Sequence, residues 1–432
     1  MTRVLYLPTR YFPSISGAEF YIQRMAEILK SKYKYQVKIF TSNAIDFKAL
    51  RNPEGRTISS NEKHFNKIND ITIERFPINY NISLEEKIRK IKDIYTYNDL
   101  NLSDDCLVKY LSNGPYLNGI FDSFLNDTKT NFDLIHTAFF PYFNLIIALI
   151  IGKLINSPTI CTPFFHFSNP RYLDNSLMEV LNKFDMVIAC TNVEKNFIMK
   201  RFHLDKAKIK VIPMGVDYEK FIIRRSRNHQ SNYSFKKHFI GEDKSKLILN
   251  CAYKNYEKGT ISILKAIPYI LEKMKKVTFV FIGPSTMAYH KELSKIKKNT
   301  SAKIVNLTPD NLTGYYDKKK ISAFQEADVF IMPSRSDAFG IAYLEAWAAG
   351  KPVIGANIGA TPEVIRDNID GLLVEFDNPK DIAEKVIKLL KNKRLRKKFG
   401  EAGKLRVFQN YTWDIVAEKT HKIYQPLIRK NS

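Results

Sequence analysis

The sequence predicts an α/β fold made of two doubly wound domains, each an open parallel sheet, facing each other across a cleft. Three observations carry this. Short apolar runs alternate with amphipathic segments almost throughout, the βαβα order of a parallel sheet covered by helices on both sides. Several runs, such as residues 329–333 and 353–356, are apolar without alternation, as strands buried on both faces are. The series also runs twice, closing near Val211-Ile212-Pro213 and reopening near Leu247. A length of 432 residues fits two domains, since domains commonly hold roughly 100–200 residues.

In order, the strands are expected at residues 4–8, 36–41, 133–137, 159–165, 186–190 and 211–213 of the first series. The second series gives 247–252, 278–283, 303–307, 329–333, 353–356 and 372–374. Helical patterns occupy residues 18–31, 260–273, 322–327 and 379–392. Residues about 43–130 break the rhythm, being polar and rich in Asn, Lys and Tyr, and read as an insertion on the first domain. The basic, polar stretch 224–246 reads as a linker and surface loop. The expected division is 1–212, 213–410 and a closing helix over 411–432. Ligands of such folds bind at the carboxyl ends of the strands.

Composition excludes several classes. Cys106, Cys161, Cys190 and Cys251 lie far apart, with no Cys-x-x-Cys pair for zinc and no disulfide framework. The N-terminal run Val4–Pro8 is too short for a secretory signal. The most apolar stretch, residues 141–155, falls short of the ~20 residues of a spanning helix and reads as a buried helix. A cytoplasmic protein, either soluble or peripheral at the membrane face, is therefore expected. The formal net charge of +24 attracts phosphates, nucleic acid or anionic lipid. Without zinc-finger spacing or an RNA-recognition motif, nucleic acid is not expected as a partner, and an anionic membrane surface is favoured over it.

The chemistry concentrates in Pro333-Ser334-Arg335-Ser336-Asp337-Ala338-Phe339-Gly340, followed by a helix carrying Glu345 and closed by Gly350. Asp337 falls in the loop at a strand's carboxyl end. A helix starting near Phe339–Gly340 offers free N–H groups and its positive dipole end to a phosphate. Gly340 lets the backbone be approached closely. Two carboxylates nearby accept hydrogen bonds from sugar hydroxyls. The plainer alternative makes Asp337 a turn or cap residue and Glu345 a solvated helix position.

This segment resembles the signature of the retaining family 4 glycosyltransferases, which have the GT-B fold of two Rossmann-like domains. The family spaces two Glu residues by seven, and here Asp337 stands in the first place and Glu345 in the second. The resemblance implies that Asp337 contacts the donor sugar and Glu345 the ribose. Further similar elements follow the family's order. Ser16-Gly17-Ala18-Glu19 places Gly17 against the donor diphosphate, and Asn255-Tyr256-Glu257-Lys258-Gly259 places Lys258 there. The Arg that the family sets five residues before this Lys is Tyr253 here, and Lys254 is the expected substitute, though an ammonium lacks the planar fork of a guanidinium. Phe132-Asp133-Leu134-Ile135-His136 and Thr162-Pro163-Phe164-Phe165-His166 resemble family strands that end in His, with His166 near the donor sugar. Val211-Ile212-Pro213-Met214-Gly215-Val216-Asp217 resembles the interdomain element, with Met214 for Asn. Gly359-Ala360-Thr361-Pro362-Glu363 resembles a turn that lies near the donor.

Asp337, Lys258 and His166 are thus the catalytic candidates. Gly17, Lys254, Phe339, Gly340 and Glu345 are the donor-binding ones, and His136, Thr361 and Glu363 are further candidates. The activity implied is metal-independent, retaining transfer from a nucleotide-sugar, UDP favoured over GDP, to a glycan or lipid-linked acceptor. No Asp-x-Asp metal motif occurs in the sequence. The alternatives are a GT-B epimerase or phosphorylase, and a non-catalytic subunit that binds partners or membrane.

Overall fold

A computed structural model describes residues 1–14, 16–117, 119–125, 131–166, 172–222, 233–241 and 245–430. The chain divides into two compact units, Met1–Pro213 with Trp413–Ser432, and Met214–Thr412.

The first unit holds an eight-stranded sheet. Its strands are β1 (Arg3–Leu7), β2 (Gln36–Ser42), β3 (Lys67–Ile68), β4 (Ile71–Phe76), β5 (Leu134–Ala138), β6 (Thr159–Thr162), β7 (Met186–Ala189) and β8 (Ile209–Val211). Their order is β3-β4-β2-β1-β5-β6-β7-β8. All neighbours pair in parallel except β3 and β4. β5 and β6 are buried along their whole length, which is why their sequences show no alternation.

The apolar stretch near residue 150 is the helix Asn144–Leu154, buried from Asn144 to Gly152. No helix among the described residues is long and apolar enough to cross a membrane. Asn144 caps the design: its Nδ2 is shared among Leu7 O at 2.9 Å, Thr137 Oγ1 at 2.8 Å and Ala138 O at 2.9 Å. One buried amide thereby ties the carboxyl ends of β1 and β5 together. The closing helix Trp413–Lys430 packs within this unit, with Trp413 edge-on to Phe20 and the Tyr424 hydroxyl 2.8 Å from that of Tyr6.

The reading of residues 43–130 as an insertion needs correction. β4 is a regular strand of the sheet, paired with β2 from Lys38↔Thr72 to Ser42↔Phe76. It lies one place from the edge, covered only by the two-residue β3, so it tolerates Glu74 and Arg75 that a central strand would not. Glu74 meets Lys38 across the strands at 2.7 Å. Helix Asp104–Asn113 buries Cys106, Leu107, Tyr110 and Leu111 in the same core.

The second unit holds a six-stranded, all-parallel sheet. β9 (Lys246–Cys251), β10 (Val277–Ile282), β11 (Lys303–Leu307), β12 (Val329–Met332), β13 (Val353–Ala356) and β14 (Gly371–Val374) run in the order β11-β10-β9-β12-β13-β14. The core joins Ile248, Phe279, Phe281, Ile331 and Ile354 to Leu264, Ile267, Val386 and Leu389 of the covering helices. Strand order reverses between β9 and β12, and a reversal of this kind opens a ligand crevice at the carboxyl ends. Much of the stretch expected as a linker, 224–246, lies outside the described residues. Its described part includes a short helix, Phe235–Phe239, that packs on this unit: Phe235 is buried and its N–H donates to Ser322 Oγ at 2.9 Å.

Candidate active site

The loops that follow β9 and β12 are locked together at the reversal point. Asn255 Oδ1 accepts the Lys258 N–H at 2.9 Å and closes a tight turn. The turn ends at Gly259, with φ +68°, where a Cβ would stand 2.1 Å from Pro333 O. Only glycine allows both that backbone angle and that approach. The Arg335 N–H then donates to Glu257 O at 2.8 Å. The Arg335 guanidinium grips the Glu257 carboxylate in a fork, its Nε at 2.9 Å. The outcome is the placement of Lys258, whose Nζ lies 2.8 Å from Asp337 Oδ2. Both side chains keep some exposure, 21% for Lys258 and 14% for Asp337, so the pair is fixed yet reachable. Ser334 Oγ adds a longer contact to the same Asp337 oxygen, 3.3 Å.

Next along the chain, Gly340 adopts φ +92° and opens the helix Ile341–Ala348. A Cβ there would press within 2.6 Å of the Tyr343 ring. Tyr343 is fully buried, its hydroxyl donating to Met332 O at the end of β12. Phe339 is buried and packs edge-on against Tyr411 at 5.5 Å.

Glu345 is not the solvated helix position of the plainer alternative. It is 1% exposed, and its Oε1 accepts a bond from Lys320 Nζ at 2.7 Å. The Lys320 ammonium rests 3.6 Å from the centre of the Tyr315 ring, and the Tyr315 side chain bonds Glu345 in turn. Removing one partner of a buried pair leaves an uncompensated charge, typically costing 3–5 kcal/mol. Lys320 thus fixes the orientation of the Glu345 carboxylate. Sequence reasoning missed it because Lys320 sits inside a Lys-Lys-Lys run that reads as a solvated face.

Lys254 departs from its expected role. It is fully buried, with Nζ 2.5 Å from Asn306 Oδ1 and 2.9 Å from Leu307 O, and it faces the Tyr289 ring at 5.2 Å. Burial pushes its pKa down to about 8. Its charge is spent tying the end of β11 to the loop after β9, and it must leave those partners to reach an anion. Of the two Lys residues expected at the diphosphate, only Lys258 is presented.

The remaining candidates divide between the units. Gly17 begins the helix Gly17–Tyr33. There Glu19 is buried against Arg10, Nε to Oε1 at 2.9 Å, and Arg10 also reaches Ile45 O at 3.0 Å and lies 3.6 Å over the Phe47 ring. This anchor, too, gave no sequence signal. His136 is a core residue rather than a ligand-facing one. It is fully buried, with Nε2 2.8 Å from Thr162 Oγ1 and Nδ1 on the Tyr424 hydroxyl, and burial lowers its pKa to about 3. His166 follows β6 half-buried, edge-on to Tyr172 at 5.1 Å. The segment before it is fixed by the buried Glu194, which accepts Phe165 N at 2.8 Å and Cys190 N at 2.6 Å. In the second unit Thr361 is buried under Gly355, where a Cβ would come within 2.6 Å of its methyl. Glu363 is half-buried, its carbonyl accepting from Arg406 at 3.2 Å.

Comparison with known proteins points to glycosyltransferases. The family model for glycosyl transferases group 1 matches residues 233–406, and that for Glycosyltransferase Family 4 matches residues 100–220. An uncharacterized glycosyltransferase of Methanocaldococcus jannaschii is 29% identical over 57% of this chain, which spans 62% of that relative's length. A phosphatidyl-myo-inositol mannosyltransferase of Mycobacterium tuberculosis is 24% identical over 65% of this chain and 70% of its own. Among solved structures, Anabaena HepE in complex with UDP-glucose superposes with a TM-score of 0.69 over 99% of this chain and 100% of its own, at 14% identity. At that identity the likeness speaks for the GT-B fold alone.

Proposed function

The chain belongs to glycosyltransferase family 4, and from that premise we propose that it moves a sugar from a nucleoside-diphosphate donor to a hydroxyl of a glycan or lipid-linked acceptor, with retention and without a metal ion. One observation carries the reading: Lys258 and Asp337 meet at 2.8 Å where the strand order of the second sheet reverses, beside the Gly340 helix start. That group supplies a cation and unpaired amides for a diphosphate and a carboxylate for sugar hydroxyls.

The demanding step breaks the bond between the anomeric carbon and the diphosphate oxygen. The departing diphosphate keeps the electron pair, so negative charge grows on it. Lys258 and the N–H groups at the helix start are already oriented for that charge, and fixed donors of this kind are worth ~2.7–4 kcal/mol each. Asp337 accepts hydrogen bonds from the sugar. Glu345, held by Lys320, serves the ribose. The acceptor oxygen bonds the anomeric carbon from the face the diphosphate leaves, and its proton passes to the departing phosphate oxygen. No carboxylate nucleophile of the glycosidase kind is required.

The donor in this reading is a UDP-sugar, the nucleotide that the family 4 resemblance favours. A lipid acceptor has a parallel in the phosphatidyl-myo-inositol mannosyltransferase of Mycobacterium tuberculosis. The test is transfer from a panel of nucleotide-sugars, with and without acceptor. Product should form only with acceptor, and Lys258→Ala and Glu345→Ala should each lower the rate at least about a hundredfold. An epimerised donor in the acceptor-free reaction, or near-normal rates in both folded variants, would overturn the reading.

A further inference from the structure

The second unit ends in the helix Lys393–Asn410, and its cations are sorted by face. Those turned inward are engaged. Arg396 donates to Leu389 O and Leu390 O at 2.7 Å, and Arg406 donates to Glu363 O and pairs with Asp370 at 3.2 Å. Those turned outward are not: Arg394 and Lys398 are exposed and make no ion pair among the described residues. Lys397 meets the exposed Glu401 at 3.7 Å and no other acid among the described residues.

Positions 394, 397, 398, 401, 405 and 408 recur at spacings of three and four, which sets them on one stripe roughly 100° wide. Its first two turns carry Arg394, Lys397 and Lys398 against the single acid Glu401. The last two present Leu405 and Phe408, 56% and 59% exposed. The opposite face is fixed close to the unit: a Cβ on Gly403 would lie 1.9 Å from the Trp347 ring, and one on Gly400 would lie 2.1 Å from Gly350 O. The stripe is therefore held rigidly outward. The preceding helix Pro379–Lys391 also carries exposed Lys380, Lys388 and Lys391.

We propose that this stripe docks the protein on an anionic lipid surface, with Arg394, Lys397 and Lys398 on the headgroups and Leu405 and Phe408 entering the boundary with the acyl chains. Charge complementarity selects an anionic partner. The two apolar side chains on the same stripe select a bilayer over a nucleic acid, since interfacial helices combine these two features. The proposal deepens the lipid-acceptor part of the preceding reading by naming the surface, and it does not depend on the donor site.

The experiment is vesicle flotation of the full chain without donor or acceptor. The vesicles are phosphatidylcholine alone, or phosphatidylcholine with about one-third phosphatidylglycerol. Binding is expected only with phosphatidylglycerol and should weaken as salt shortens the reach of the charges. Each cation near the surface is worth about fivefold, so Lys397→Glu/Lys398→Glu should weaken partitioning at least about thirtyfold. Leu405→Ser/Phe408→Ser should weaken it about tenfold, leaving a residue that salt abolishes. Lys295→Glu/Lys298→Glu, the same charge change on the helix Met287–Asn299, should leave it within about twofold of the unaltered chain. A thermal midpoint equal to that of the unaltered chain certifies each variant as folded. Equal losses from both charge variants would overturn the surface in favour of net charge. Binding to a single-stranded oligonucleotide but not to vesicles would overturn the lipid partner. Absence of vesicle binding alongside transfer to a water-soluble acceptor would sink the docking proposal and leave the transferase reading standing.

Discussion

Single residues at the site owe their behaviour to what surrounds them more than to their type. Two lysines sit four positions apart, and only Lys258 is offered to a ligand; Lys254 is consumed by Asn306 and Leu307. The sequence set both at the diphosphate, because it lists ionisable groups but not the acceptors that folding brings to them from fifty residues away. His136 makes the same point with a measurable consequence. Its folded pKa of about 3 lies below the ordinary 6.5, so between those pH values the unfolded chain binds more protons. Stability therefore falls as the pH drops through that window, by ~1.4 kcal/mol per pH unit from this group. Urea unfolding of the wild type and of His136→Gln at pH 7 and pH 5 checks it. The gap between them should narrow by about 2 kcal/mol at the lower pH, and a gap independent of pH would mean that His136 titrates normally.

At the scale of elements, the site is an agreement between two loops. Gly259 at φ +68°, Glu257 with Arg335, and Lys258 with Asp337 fasten the loop after β9 to the loop after β12. The spacing of Asp337, Gly340 and Glu345 was legible because a strand, a turn and a helix fix it locally. Lys320 and Arg10 were not, since each reaches its carboxylate through tertiary packing that no periodicity encodes. The fastening predicts that Gly259→Ala costs ~2 kcal/mol or more, combining a strained backbone angle with a clash on Pro333 O. Gly241→Ala, also at positive φ but with nothing within 4 Å, should cost only the backbone term, about 1 kcal/mol. Thermal midpoints and kcat/KM check both. Gly259→Ala should lower kcat/KM at least about tenfold by displacing Lys258, and an unchanged value would separate the glycine from the placement of the lysine.

For the molecule as a whole, the two sheets were readable because parallel strands buried on both faces leave continuous apolar runs, and all twelve expected strands are present. β3 and β4 escaped notice because strands near an edge carry charge, as Glu74 and Arg75 do. The excess of 68 Lys and Arg over 44 Asp and Glu gives a field that draws phosphate-bearing ligands, while the Lys258–Asp337 group gives that field a point of chemistry. The most direct test is calorimetric titration of UDP and GDP against the wild type and Lys258→Ala, with the free nucleosides as reference. A nucleoside diphosphate should bind the wild type, and the variant should lose at least about tenfold in affinity, as loss of a charge-assisted contact implies, with nucleoside binding unaltered. Failure of both diphosphates to bind, or equal binding by the folded variant, would contradict a pyrophosphate grip at this site.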